Sequence, residues 1–214
     1  MTKKHDILWL ESTDSTNNEA ARHMNDLDNL SVLSSLSQTS GRGQGSNTWL
    51  SSPGENLTFS VILKYGEKPF MAKDQIIISA LTAITVTELL TEYEIESQIK
   101  WPNDIYVGEN KICGILIEHS VKGNKLSNSI VGIGLNVNQR NFDVSLPNPT
   151  SIATCKGDSV NIDIRKCLDC FMDIYKRNLR LLDEDRDFSK IYELYMSKLR
   201  EGSPIDEINR AWLR

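Results

Sequence analysis

The residues of this chain that could do chemistry fall in four short segments. In the first, Gln38-Thr39-Ser40-Gly41-Arg42-Gly43-Gln44-Gly45, one arginine stands among three glycines. Glycines let backbone amides approach an anion closely, and a guanidinium adds a permanent, planar set of donors. The pattern points to a phosphate or carboxylate site, although a flexible glycine-rich surface loop would read the same way on its own. It is not a Walker loop, because no Gly-Lys-Ser/Thr follows at the required spacing. Nor is it a Rossmann fingerprint, because the glycine spacing is wrong and no helix is expected to begin there.

The second segment is Lys100-Trp101-Pro102-Asn103-Asp104. Pro102 has no N–H and a restricted φ, so it interrupts a strand ladder and presents Asn103 and Asp104 at a strand end; an ordinary turn is the alternative. The third, residues 111–118, opens with Lys111 and reads apolar on both faces, with Gly114 inside it. A glycine inside a buried strand marks a place where a ligand can approach closely, whereas a lysine at its mouth can also simply reach for water. The fourth, Gly132-Ile133-Gly134-Leu135-Asn136, puts two glycines on one strand face and ends in an amide; a bulged strand would look alike.

Positioning these segments requires a sheet. Alternating or apolar runs predict strands over residues 7–11, 32–38, 57–65, 95–100, 104–107, 111–118 and 129–136, with turn signals at Gly108-Glu109-Asn110 and Lys122-Gly123-Asn124. Short turns between neighbouring strands imply antiparallel pairing. Ser15-Thr16-Asn17 supplies N-cap chemistry for a helix through about Asp28. After Pro69, Ile77, Leu81, Ile84 and Leu89 recur at helical spacing, as do Ile164, Leu168, Phe171, Tyr175 and Leu182 further on. Another helix is predicted over roughly residues 188–199. Residues 39–54 carry no apolar periodicity and read as a long functional loop, in which Trp49 has few apolar neighbours and is expected to be exposed until a ligand binds. The fold class expected is α+β, a mixed, largely antiparallel sheet covered by helices.

The formal net charge of −5 argues against a protein that tracks a nucleic-acid backbone. The apolar run near the N-terminus is too short for a signal peptide, and no run reads as a membrane span. Four cysteines in a chain without export signals predict reduced thiols in a cytoplasmic protein.

Taken in order, with Ser15-Thr16-Asn17 ahead of them and Trp49 between, the four segments resemble the catalytic domain of biotin protein ligases over roughly residues 8–138. That resemblance implies a class II synthetase-like domain that joins biotin to ATP as biotinyl-5′-adenylate. It would then pass biotin to a lysine of the biotin carboxyl carrier protein of a biotin-dependent carboxylase. By the same resemblance, Ser15 and Thr16 would contact the ureido ring, with Asn17 beside them and Gln38 near the ring or carboxylate. Arg42, with the amides of Gly41, Gly43 and Gln44, would hold the biotin carboxylate and ATP phosphates. Trp49 would flank adenine, Asn103 and Asp104 would serve nucleotide and magnesium, and Asn136 would read the adenine edge. Gly114 and Gly132 would let the ligand lie on the sheet. Lys111, rather than Lys100, would be the catalytic lysine, acting with Arg42.

Two departures from the family pattern stand out. Gln44 replaces a frequent second arginine and Ser46 a frequent glycine, so adenylate retention is expected to differ. The domain division expected is a catalytic domain over residues 1–200 with no helix-turn-helix ahead of it. A short tail over residues 201–214 would stand where relatives have a small β domain. A homodimer, joined edge to edge, is expected by analogy alone. Lipoate or octanoate ligation and a non-catalytic biotin-binding homologue are the alternative functions. Cys167 and Cys170 suggest a metal pair, but no partner pair follows at zinc spacing and Cys167 lies on an apolar helical stripe, so core packing is expected. His5, His23 and His119 show no ligand spacing.

Overall fold

The computed structural model describes residues 6–66, 70–157, 159–182 and 188–212. His5 and Pro69 lie outside them. Seven strands form one sheet in the order β1-β2-β3-β7-β6-β5-β4. They are β1 (Ile7–Leu10), β2 (Val32–Ser35), β3 (Leu57–Lys64), β4 (Gln98–Lys100), β5 (Asp104–Val107), β6 (Asn110–Lys122) and β7 (Lys125–Leu135). Only β1 and β2 pair in parallel; every other neighbouring pair is antiparallel. The expected mixed, largely antiparallel α+β sheet is therefore what the chain forms.

Alternation along the strands gives the sheet two unlike faces. Leu57, Phe59, Val61 and Leu63 of β3 join Cys113, Ile115, Val131, Ile133 and Leu135 in the main core. That face is covered by α2 (Gln75–Glu92) and α4 (Ile164–Leu179), with α5 (Ser189–Ser197) packed on α2. Residues Ala72–Glu92 are long and apolar enough to cross a membrane by composition alone, but α2 is apolar on all sides because it is enclosed by sheet and helices. The opposite face is covered only in part, by α1 (Thr16–Arg22), whose Ala20 packs on Leu33, Ile62 and Ile130.

Several boundaries differ from the sequence expectation for local reasons. Helix α1 stops at Arg22, well before Asp28, because Leu30 takes a positive φ and its N–H bonds Ile62, folding the intervening turn back onto β3. The hairpin of β6 and β7 runs further than expected in both strands. A five-residue helix, α3 (Ile152–Lys156), is too short to show periodicity; the Ser151 hydroxyl caps it by accepting the Thr154 N–H. Residues 201–212 do not trail from the domain: α6 (Ile205–Trp212) buries Ile208 and sets Trp212 edge-on against Tyr192. Cys167 is buried in the core, and burial pushes its thiol up to about 12. Among the described residues no group of three or more His, Cys, Asp and Glu side chains could hold a metal.

On the core side of β6, His119 Nδ1 lies 2.7 Å from the Ser129 hydroxyl, which lies 2.6 Å from the Tyr65 hydroxyl. Burial lowers the imidazole below its ordinary value of 6.5. The unfolded chain therefore takes up a proton near 6.5 that the folded chain refuses, and stability falls as pH drops through that value. The loss levels off once the lowered folded value is passed. Denaturant unfolding at about pH 7.5 and 5.5 should show a smaller acid loss for His119→Gln than for the parent chain. Equal losses would mean that His119 does not carry this linkage.

Candidate functional site

The floor of the site is a stretch of sheet in which three glycines lie close together. Across β3, β7 and β6 the register aligns Thr58 with Gly134 and Gly114, and Ser60 with Gly132 and Leu116. The next row is Ile62, Ile130 and Glu118. These positions face α1, not the core, so the glycines leave a hollow between that helix and the strand ends.

One wall comes from α1. Ser15, Thr16 and Asn17 are all buried, and Ser15 stands at the N-cap position without its hydroxyl capping the helix. Gln38 accepts the Thr16 N–H at 2.8 Å. Asn17 is fixed from three sides: Ser60 donates to its Oδ1, while its Nδ2 reaches Glu118 and the Leu116 carbonyl. A Cβ at Gly132 would land inside that carboxamide, so glycine is what lets Asn17 lie on the sheet.

The roof is the glycine-rich segment, which is more ordered than a featureless loop. Trp49 donates its N–H to Gly41, and Gly43 donates to Asn47, so residues 41–49 close into a small hairpin with Gly45 at positive φ in its turn. Trp49 corrects the expectation of exposure. Its indole lies on Gly114 and Gly134, where missing side chains leave an apolar slot, and its Nε1 is buried with no partner among the described residues. Arg42 reaches the other way, to Glu118 and Asn18. With both in place the cleft encloses about 110 Å³, well below the roughly 300–1,000 Å³ usual for a small-molecule site. The chain itself fills part of the hollow.

The third wall is cationic. Lys111 Nζ lies 2.7 Å from Asp104 and 5.8 Å from the Trp49 ring centre. Asp104 follows the cis Trp101–Pro102 peptide, and Asn103 is held by its amide on the Ile115 carbonyl. The start of β6 is stitched down by Lys111 N–H to Asn148 and by Thr150 N–H to the Lys111 carbonyl. Lys100 takes no part in the cleft; its Nζ sits over the Tyr106 ring. Cys113, beside this wall, is fully buried, and burial pushes its thiol upward, so it stays a neutral thiol.

Of the residues singled out from sequence, Ser15, Thr16, Asn17, Gln38, Arg42, Gly43 and Gln44 line the cleft. So do Trp49, Asn103, Asp104, Lys111, Gly114 and Gly132. Two do not. Gly41 packs under the Trp49 carbonyl and Gln38, and Asn136 is buried behind Lys111, donating to the Thr150 carbonyl. Gly134, seen in the sequence on one strand face with Gly132 but given no role there, also lines the cleft. Sequence reasoning missed Ser60 and Glu118, which enter only through cross-strand register.

Comparison with known proteins gives the chain's family and supports its fold. The sequence model of the Biotin/lipoate A/B protein ligase family matches residues 9–136. The bifunctional ligase/repressor BirA of Bacillus subtilis is 33% identical over 178 residues, 80% of this chain and 53% of that protein. The biotin–[acetyl-CoA-carboxylase] ligase of Paracoccus denitrificans is 27% identical over 92% of this chain and 82% of its own length. Among solved structures, the biotin protein ligase from Aquifex aeolicus in complex with biotin and ATP superposes with a TM-score of 0.76 at 29% identity, covering 91% of this chain and 78% of that one. The chain spans about half the length of the first curated relatives it matches.

Gly134→Ala would drive a methyl group into the Trp49 indole. Overpacking of this kind costs roughly 1–3 kcal/mol, and the loop is the element free to yield. The expected result is a red shift of the Trp49 contribution to fluorescence, obtained by difference against Trp49→Phe, with the far-ultraviolet spectrum unchanged. An unshifted contribution would show that the indole does not rest on Gly134.

Proposed function

Because the chain belongs to the biotin/lipoate A/B protein ligase family, we propose that it is a biotin protein ligase. It would condense biotin and ATP to biotinyl-5′-adenylate, then transfer the biotinyl group to a lysine of a biotin carboxyl carrier protein. The observation that carries this reading is convergence: a buried polar pocket of Ser15, Thr16 and Asn17 and the cations Arg42 and Lys111 meet over one glycine floor.

The polar pocket suits a ureido ring, whose carbonyl and two N–H groups need partners once dehydrated. Ser15 has a hydroxyl not used for capping, and Asn17 and Ser60 form a hydrogen-bonded pair beside it. A lipoyl or octanoyl chain would offer the Ser15 hydroxyl no partner, which disfavours the alternative acids. In the first step a biotin carboxylate oxygen attacks the α-phosphorus of ATP and pyrophosphate leaves. Two anions must be brought together in line, so fixed cations and donors do most of the work, and no general base is needed because the carboxylate is already a nucleophile. Lys111 would stand between carboxylate and α-phosphate, and Arg42 with the backbone of Gly43 and Gln44 would hold the flanking oxygens. A magnesium ion brought with the nucleotide fits a single carboxylate, Asp104, supplemented by Asn103, since magnesium keeps most of its ligands from water and phosphates. It would supply charge neutralisation. In the second step the carrier lysine's amine attacks the acyl carbon and AMP leaves, under a roof that keeps water out.

The cysteines are free thiols, which agrees with the reducing cytoplasm proposed as its compartment. Pyrophosphate exchange supported by biotin, and not by lipoate or octanoate, is the expected outcome; exchange with none of the three would turn the reading toward a binding protein. Lys111→Ala should lower single-turnover adenylate formation about a hundred- to a thousandfold, the usual cost of losing a preorganised charge donor. Lys100→Ala should cost far less. If Lys100→Ala proved the more damaging in a folded protein, the assignment of Lys111 would fall.

A further inference from the structure

The ligase reading gives Arg42 a substrate anion to hold, yet in the structure that guanidinium is already engaged by side chains of the chain itself. Its Nη2 lies 2.8 Å from Glu118 Oε1 and its Nη1 lies 3.1 Å from Oε2, a two-pronged grip on a carboxylate. Asn18 Oδ1 accepts from the same Nη1 at 2.8 Å. Glu118 in turn accepts from Asn17 Nδ2 at 2.8 Å. One carboxylate therefore ties together the glycine-rich hairpin, helix α1 and strand β6.

The position of Glu118 makes this more than a surface ion pair. It faces the same side of β6 as Gly114 and Leu116, four residues beyond Gly114, a separation of about 13 Å along a strand. The hairpin rests Trp49 on Gly114 at one end of that span and Arg42 on Glu118 at the other. Both contacts together carry the hairpin across the hollow. A carboxylate is also the group that the proposed substrate acid would offer to Arg42, with the same pair of oxygens and the same charge.

We propose that Glu118 is a positioning residue that holds Arg42 across the cleft in the ligand-free protein and yields it to the carboxylate of the incoming acid. This rests on the ligase reading for the identity of the acid. Glu118 is an internal competitor: it keeps the arginine ordered and the hairpin seated, and it subtracts from the affinity of any carboxylate that must displace it. Asn17 remains on the floor throughout, because Ser60 holds its other end.

The competition is specific to charge, so the test compares biotin with its neutral primary amide. Titration calorimetry on the parent chain, Glu118→Gln, Arg42→Ala and the double variant gives the preference for acid over amide in each. Glutamine keeps an acceptor for Asn17 but surrenders the charge that grips Arg42. Both side chains are about two-fifths exposed, 42% and 37%, and pairs at such positions shift equilibria by up to about fivefold. The preference for the acid should therefore rise about two- to fivefold in Glu118→Gln and should not rise when the same change is made beside Arg42→Ala. Amide exchange of residues 41–49 in the ligand-free protein should also quicken in Glu118→Gln. An unchanged preference would overturn the proposal, since a merely structural role would weaken both ligands alike. A fall would mean that Glu118 presents Arg42 to the ligand rather than withholding it. A rise that persists without Arg42 would mean direct repulsion of the ligand by Glu118. Should the parent chain bind neither probe, the ligase reading itself fails and the competition falls with it, an outcome distinct from an unmoved ratio in a protein that binds both.

Discussion

A bare patch of sheet governs the arrangement of everything around it. Where Gly114, Gly132 and Gly134 meet across β6 and β7, backbone stands open on a face whose neighbouring rows carry full side chains. Something must cover it, and what covers it is an indole over two of the glycines and a carboxamide over the third. The walls follow from that need. Asn17 can lie flat only because Ser60 and Glu118 hold its two ends, and Trp49 can reach the floor only because the hairpin folds over it.

The charges obey a similar logic. Lys111 and Arg42, the two cations that line the cleft among the described residues, each face a carboxylate of the chain itself, Asp104 and Glu118. An unpaired flexible cation would explore many rotamers, and fixing it at the moment of binding would cost conformational entropy. A partner already in place removes part of that cost and replaces it with an exchange of one anion for another. Both pairs are partly exposed, where ion pairs contribute little to stability, so their consequence lies in geometry rather than in holding the fold together.

What could be read from the sequence followed the range over which its signals act. Glycines, the Trp-Pro corner and the Lys111 strand announced themselves locally, because unusual residue types in short windows need few neighbours to be informative. The sheet was legible as a set of strands, since period-two alternation is also local. What stayed hidden was made by register. Ser60 is an unremarked serine in an apolar strand until pairing puts it beside Gly132, and Glu118 is the polar end of a buried strand until Arg42 arrives from 76 residues away. Trp49 was misjudged for the same reason: its own loop offers it little apolar surface, but the glycine slots on two distant strands do. Asn136 was drawn into the site by its neighbours in sequence, whereas its carboxamide turns to the Thr150 segment instead.

Core and cleft are two faces of one register, and this is why the site can be built from so little. On β6 and β7 the odd positions Cys113, Ile115, Ile133 and Leu135 are buried in the main core, while the even positions Gly114, Gly132 and Gly134 form the floor. A slip of one residue would exchange the two sets, thrusting isoleucines into the hollow and leaving glycines to fill the core. Each large apolar side chain lost from the core would cost about 1.5–3 kcal/mol, and several would be lost at once. Burial on the helical side thus fixes the strand register that places backbone, and not side chains, beneath Asn17 and Trp49.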